Sequence, residues 1–377
     1  MSQNILYFVF IIFCVATVAQ LLFWLFVFRK LAFWNEESDY LAGVEDFEQP
    51  VSIIICARNE AENLRNNLPL VINQNYKCFE ILLVNDASTD DTETVGLFFQ
   101  SKHTNFRLIN VLDKPKEQVG KKYVVAQGIE AAQYDVVLLT DADCRPTSDL
   151  WLQKMQASLA DPAAEISLGY GPYWEEAGFL NKFIRFETVQ TAMQYFSFAL
   201  AGIPYMGVGR NLIYKKYIFK KNNGFAKHQH IASGDDDLFV RDVANADNTR
   251  IVLDPETFVL SAPKRTWAQF YRQKSRHLTT GKHYAAKHKI LLGAVSTSHF
   301  FHYFSALILC ALKFSTMFAV TFYAVRMAVI WFLYGRILKK LREPHLVMWI
   351  PLLDFLYIGF YTVFAPVLFF SRTNKWK

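Results

Sequence analysis

Between Val51 and Asp143 the chain repeats one unit: a short apolar run, a polar turn, then a helical pattern. Val51-Ser-Ile-Ile-Ile-Cys56 is too short and too uniformly apolar for a surface helix, and Ala57-Arg58-Asn59-Glu60 follows it as a turn, so the stretch reads as strand, loop, helix. Glu80 to Asp86 repeats the strand. Ala87-Ser88-Thr89-Asp90 then offers N-cap residues for a helix through Phe99. Arg107 to Leu112 reads as a third strand, Lys121 to Ala132 as a helix and Asp135 to Thr140 as a fourth strand. Strands alternating with helices at this spacing form parallel βαβ units, whose strand ends gather at one crevice. The fold class expected is therefore α/β, with a mostly parallel twisted sheet.

Acidic residues stand where these strands end. Asp86 closes the second, and Val136-Val-Leu-Leu-Thr-Asp-Ala-Asp-Cys144 carries Asp141 and Asp143 to the end of the fourth. Ligands of open α/β sheets bind outside that edge. Two carboxylates there suit a hard divalent cation carrying a phosphate-bearing ligand. Asp143 also precedes Arg145-Pro146-Thr147 and a helix expected near Ser148, so an N-capping role is the structural alternative.

The motifs Ala57-Arg58-Asn59-Glu60, Asn85 to Asp90, Gly120-Lys121-Lys122, Asp141-Ala142-Asp143, Gly234-Asp235-Asp236-Asp237-Leu238 and Gln273-Lys274-Ser275-Arg276-His277 occur in this order between Pro50 and Gly281. Jointly they resemble glycosyltransferase family 2, with the GT-A nucleotide-sugar-binding fold. The resemblance implies that Glu60 and Asp86 hold the base and ribose of a UDP- or GDP-linked sugar, and that Lys121 or Lys122 reaches the donor, the other lying on a solvated face. Asp143, with Asp141 sharing the ion or touching ribose, is implied as the ligand of Mg²⁺ or Mn²⁺. Asp235 maps onto the catalytic base, Asp236 being the choice if the motif is shifted by one residue. Three adjacent carboxylates raise one another's proton affinity, which helps a base. An acidic start to a helix from Asp236 to Ala244 is the alternative reading.

Two departures from the family pattern stand out. Asn85-Asp86-Ala87 replaces the common Asp-Asp-Gly, removing one acid and a flexible turn residue. Gln273, Arg276 and His277 stand where the family has Gln-x-x-Arg-Trp, in an amphipathic helix expected from Trp267 to Lys282. Arg276 is a forked cation suited to diphosphate oxygens, while His277 shrinks the surface on which the Trp would hold an acceptor.

Composition adds the membrane. Of 377 residues, 52% are hydrophobic and 16% aromatic, high for a soluble protein. Ile5 to Phe28 is 24 residues without a charge, roughly 36 Å as a helix, against a hydrocarbon core of about 30 Å. Apolar residues run on past the faint cleavage-like Ala16-Thr-Val-Ala19, so an uncleaved signal anchor is expected. Arg29 and Lys30 follow the span and no Lys or Arg precedes it, which sets the amino terminus outside and the catalytic part in the cytoplasm, facing nucleotide sugars, in what would be a bacterial cell membrane. Ile290 to Leu312, Phe314 to Tyr334 and Leu346 to Phe370 are each long enough to span, the last with Pro351 and Pro366 and open to a broken or re-entrant form. Arg326 and Asp354 inside these spans should face protein or water. The resulting organisation is an anchor over residues 1–30, a catalytic domain over 48–265, the amphipathic helix over 266–289 and membrane helices over 290–371.

The five cysteines show no metal or redox spacing and are expected reduced. A net charge of +6 suits membrane and diphosphate contacts, since no basic-aromatic platform for nucleic acid appears outside the membrane-flanking regions. Gly178 to Ala201, rich in Phe, reads either as a helix lying along the bilayer or as a core-packed one. The function expected is metal-dependent, inverting transfer of a sugar to a hydroxyl of a lipid or lipid-linked acceptor. A processive polysaccharide synthase and a non-catalytic nucleotide-binding membrane sensor are the alternatives, and the oligomeric state is not set by the sequence.

Overall fold

The computed structural model describes residues 3–35, 48–115 and 120–370. Two units divide them: residues 35 and 48–280, and residues 3–34 with 281–370.

In the first unit the strands are β1 (Val51–Ala57), β2 (Phe79–Asp86), β3 (Phe106–Val111), β4 (Val136–Asp141), β5 (Cys144–Pro146), β6 (Ile166–Leu168), β7 (Leu212–Lys215), β8 (Thr249–Ile251) and β9 (Val259–Ser261). Seven form one sheet in the order β3-β2-β1-β4-β7-β6-β8, and β5 pairs with β9 in a second. β3, β2, β1 and β4 are parallel, whereas β7 runs antiparallel to β4 and β6. The chain goes from β1 outward to β3, then returns to lay β4 on the other side of β1. The strand order therefore reverses between β1 and β4, which opens the crevice where such sheets bind ligands.

Alternating side chains of the strands feed two faces. Val51, Ile53, Ile55, Ile81, Leu83 and Leu138 join Leu64 and Leu68 of the helix Ala61–Ile72, Val95 and Phe99 of Thr92–Lys102 and Trp151 of Trp151–Ala157 in one buried cluster. The helix Lys122–Ala131 covers the opposite face, where a Cβ on Gly128 would lie 2.6 Å from Ile54 Cγ2. Glycine there brings helix and sheet into closer contact than alanine would permit.

The helix Phe179–Leu200 settles one alternative left open by the sequence. Fifteen of its 22 residues are buried, among them Phe183, Phe186, Phe196 and Phe198, so it packs in the core and offers no broad face to a bilayer. The helix carrying Gln273 ends at Leu278, four residues earlier than its pattern implied.

The second unit holds four helices long and apolar enough to cross a membrane, Gln3–Phe33, Ala286–Ala311, Thr316–Lys340 and Pro344–Val367. The last, expected as a broken or re-entrant segment, runs as one α-helix from Ile350 to Phe370: Pro351 falls in its first turn, where no N–H is needed, and Pro366 near its end. Each of the four gives a polar side chain to one buried network. Arg326 Nη1 lies 2.8 Å from Asp354 Oδ2, its Nη2 donates to Gln20 Oε1 at 3.0 Å, and Tyr303 Oη donates to Asp354 at 2.7 Å. His299 Nε2 stands 3.2 Å from the other Asp354 oxygen, and Gln20 Nε2 donates to Ser298 Oγ at 2.8 Å. Arg326 and Asp354 thus face protein, as their position inside apolar segments demands.

Candidate active site

The motifs around Asn59, Asp86 and Asp141 stand at the ends of β1, β2 and β4. Asn59 and Ala87 turn the chain there with φ of 57° and 45°. Asn59 Oδ1 accepts the Thr89 N–H at 2.8 Å, Ser88 Oγ accepts the Asn59 N–H at 2.9 Å, and Asp90 accepts the Ala61 N–H at 3.1 Å. The two turns are thereby sewn together. Ala87 holds a left-handed conformation that glycine would adopt freely, with a strain of about 1 kcal/mol.

Asp86 is 1% exposed, 2.5 Å from Lys114 Nζ and 3.9 Å from Arg58, and its Oδ2 accepts no hydrogen bond among the described residues. Glu60 stands at the head of the helix Ala61–Ile72, where Asn63 donates to its carboxylate at 2.6 Å. Asp141 closes β4, opposite Cys56 of β1. Asp143 lies in the turn between β4 and β5 and caps no helix, because the next one starts only at Trp151. The N-cap alternative is thereby excluded: the short strand β5 and a turn intervene.

Lys121 joins the acids. Its ammonium bonds Asp141 and lies 3.9 Å from Asp235. Lys122, in contrast, donates to the carbonyls of His228, Ile231 and Ser233. Both lysines are buried or nearly so, and the expected solvated face is absent. The reason lies in Gly120, whose φ of 81° and missing side chain let the Ala232 carbonyl approach so closely that a Cβ would sit 2.0 Å from it.

The three adjacent acids have three different environments. Asp236 caps the helix Asp237–Val243 and accepts the Gly209 and Asp237 N–H groups, each at 2.8 Å. Burial, with the charges of Asp235 and Asp237, pushes its carboxyl up to about 7. Asp237 accepts the Thr280 hydroxyl at 2.5 Å. Asp235 faces Lys121 and the Asp141 carboxylate beyond it.

The charges of these groups act on one another. Burial pushes the Cys56 thiol up to about 12, with Asp235, Asp141 and Asp86 all adding to the rise and Lys121 opposing it. Burial, then Asp141 and Glu60, raises the proton affinity of Asp143. For Asp141 burial acts upward, yet Lys121, Arg210 and Arg276 together hold the carboxyl below its usual range. The structure thus brings Asp86, Asp141, Asp143, Asp235 and Glu60 to one sheet edge, with Arg276 close enough to act on Asp141.

Arg210 was not foreseen. It precedes β7, donates to Ser261 Oγ at 3.2 Å and to the Gly171 carbonyl, and stacks 4.8 Å over the Tyr173 ring. The Tyr173 hydroxyl in turn accepts from Gln273 Nε2 at 3.0 Å. Its room comes from a glycine distant in the chain, a contact that no pattern near Arg210 announces: a Cβ on Gly171 would lie 2.2 Å from Arg210 Nε. His277 is exposed, with Nε2 3.4 Å from Arg276 Nη2. Ligand atoms of Asp141, Asp143 and Cys144 lie within 4.8 Å of one another. The Cys144 thiol is engaged with Ser261 Oγ at 3.0 Å, and burial holds it protonated, leaving the two carboxylates as the hard-oxygen pair.

A switch-point crevice rimmed by acids and cations is the arrangement of a GT-A nucleotide-sugar-binding domain. Residues 52–242, just over half of the chain, match the family model described as Glycosyl transferase family 2, and the chain belongs to that family. Among curated proteins it is similar to a poly-beta-1,6-N-acetyl-D-glucosamine synthase of Staphylococcus epidermidis, 27% identical over 116 residues, 31% of this chain and 25% of the synthase. It is also similar to the glycosyltransferase AglE of Haloferax volcanii, 29% identical over 118 residues, 31% of this chain and 37% of that protein. The matches thus span well under half the length of these relatives. Among solved structures a mannosyltransferase, PcManGT, from Pyrobaculum calidifontis, in complex with GDP-Man and Mn²⁺, shares the fold with a TM-score of 0.59 at 17% identity, over 94% of this chain and 98% of that one.

Proposed function

We propose that this chain is a membrane-bound, metal-dependent inverting glycosyltransferase that moves a sugar from a nucleoside diphosphate donor to a hydroxyl of a lipid-associated acceptor. The observation that carries the reading is the meeting of Asp141 and Asp235 at Lys121 by the β1/β4 switch point, with a carboxylate oxygen of Asp143 within 4.8 Å of one of Asp141. Asp143 and Asp141 would hold Mg²⁺ or Mn²⁺, since their oxygens suit a hard cation. Such an ion supplies charge stabilisation to the departing diphosphate.

The chain's own groups perform the rest. Asp235 accepts the proton of the acceptor hydroxyl as that oxygen bonds to the anomeric carbon. The bond from that carbon to the diphosphate oxygen breaks and the leaving group keeps the electron pair. Asp236 is the weaker candidate for base, because both of its oxygens already accept backbone N–H groups. Lys121 and Arg276 offer cationic donors to the leaving diphosphate. The Asp86 oxygen that accepts no hydrogen bond among the described residues, with Glu60, suits hydrogen bonds from base and ribose.

The acceptor class rests on the four apolar helices of the same chain and on His277 standing where a Trp would support a growing polymer. The Staphylococcus relative, named as a polysaccharide synthase, favours the processive reading, and product analysis separates the two. A ladder of chain lengths would reject single transfer. The test of the core claim is a panel of radiolabelled nucleotide sugars offered to membranes with and without Mn²⁺. Transfer should need the ion and should vanish in Asp143→Asn and Asp235→Asn while both variants still insert. Turnover without any divalent ion would overturn the metal assignment, and nucleotide binding without turnover of any donor would favour the sensor.

A further inference from the structure

Lys122 takes no part in the chemistry above, yet its surroundings are unusually specific. The side chain is 2% exposed. Its Nζ donates to three carbonyls, those of His228 at 2.8 Å and of Ile231 and Ser233 at 2.7 Å each. An ammonium has three N–H donors and no acceptor, so all of its hydrogen-bonding capacity is committed. None is left for a phosphate. The carbonyls belong to the loop that ends at Gly234, where a φ of 89° turns the chain into Asp235. Three carbonyl oxygens directed at one point repel one another unless a cation sits among them.

The neighbours of Lys122 meet the same loop. Gly120 lies against the Ala232 carbonyl, and Lys121 reaches to 3.9 Å from Asp235. Three consecutive positions, Gly120, Lys121 and Lys122, therefore contact the acidic loop and the acid it carries. Because Lys122 stands in the first turn of a helix packed on the sheet, it ties the loop to the rigid part of the unit.

We propose that Lys122 is a positioning residue that fixes the His228–Ser233 loop so that Asp235 is held at the reacting centre. The inference rests on the reading of Asp235 as base. Displacing a catalytic group by about 1 Å can cost roughly 10²-fold in rate, and the loss should fall on turnover rather than on donor binding.

The test uses the full chain in detergent or nanodiscs, with the nucleotide sugar that the panel selects. Lys122→Met keeps the stem and removes every donor; Lys122→Gln restores two N–H groups. The expected kcat order is wild type, Gln, Met, with Met lower by about 10- to 100-fold and donor KM within about threefold. Hydrogen–deuterium exchange of the His228–Ser233 segment should quicken at least about tenfold in Met, with β1 and β4 unchanged. A Met variant with wild-type kcat and loop exchange overturns the proposal, as does a raised KM at unchanged kcat. If Met does not yield folded protein, Gln decides, since wild-type kcat and exchange there would overturn it equally. Asp235→Asn separates the two layers: an active variant removes the base assignment itself, whereas an inactive one beside a normal Met variant removes only the role of Lys122.

Discussion

Replacing Asp354 by Leu tests how the apolar helices are held together. Arg326 is fully buried and pairs with Asp354 at 2.8 Å. At an effective dielectric constant of about 20 that separation corresponds to about 6 kcal/mol of attraction, most of it offset by the desolvation of two ions. The variant keeps the desolvation of Arg326 and loses the attraction, and removing one partner of such a pair costs about 3–5 kcal/mol. Tyr303 also loses its acceptor, at about 1 kcal/mol. A loss of about 4 kcal/mol is expected, read as the unfolding midpoint in mixed micelles, with Trp24, Trp331 and Trp349 as fluorescent reporters within this unit. Arg326→Met should lose a similar amount. The double variant, with no unpaired charge, should recover to within about 2 kcal/mol of wild type. A single variant within about 1 kcal/mol of wild type, or strictly additive losses, would show that the pair is not the charge lock described.

Lys121→Met leaves Asp141 and Asp235 without their shared cation, so Mn²⁺ alone should bind about tenfold more tightly while nucleoside diphosphate binding weakens. Electron paramagnetic resonance of free Mn²⁺ reads the first effect, and unchanged or weaker ion binding would contradict the charge arrangement. One part of the pH response of stability should trace to Asp236. Its carboxyl, at about 7 in the folded chain, binds the proton more tightly than in the unfolded chain. Its stabilising contribution is therefore present in acid and is lost as pH rises through about 7. Buried His228, lowered to about 4, acts in the opposite sense, so the measurement is a comparison: the melting temperature of wild type relative to Asp236→Asn should fall between about pH 5.5 and about pH 8, and parallel profiles would refute it.

Several elements were legible because their signals are local. The runs at Val51, Glu80 and Val136 announce strands by their own composition, and a parallel βα arrangement sends every strand end to one edge. The meeting of Asp86, Asp141 and Asp143 was therefore implicit in the order of elements. Strands β5, β6, β8 and β9 are three residues each, too short for periodicity to register. The burial of the helix Phe179–Leu200 on nearly all sides was likewise hidden, for its polar residues imitate an interfacial face.

What the sequence by itself determined is the kind of chain this is: an α/β nucleotide-sugar fold with acids at the strand ends and apolar helices long enough for a bilayer, all of it written in spacing and composition over a few tens of residues. Which acid is free and which is occupied was decided only in three dimensions. Asp235 was separated from Asp236 by the Gly209 amide, Lys121 from Lys122 by carbonyls more than 100 positions away, and Arg326 from solvent by Asp354 on another helix. Hydrogen bonds and ion pairs act over about 3 Å of space, and a one-dimensional pattern carries no record of which distant groups the folded chain brings within that reach.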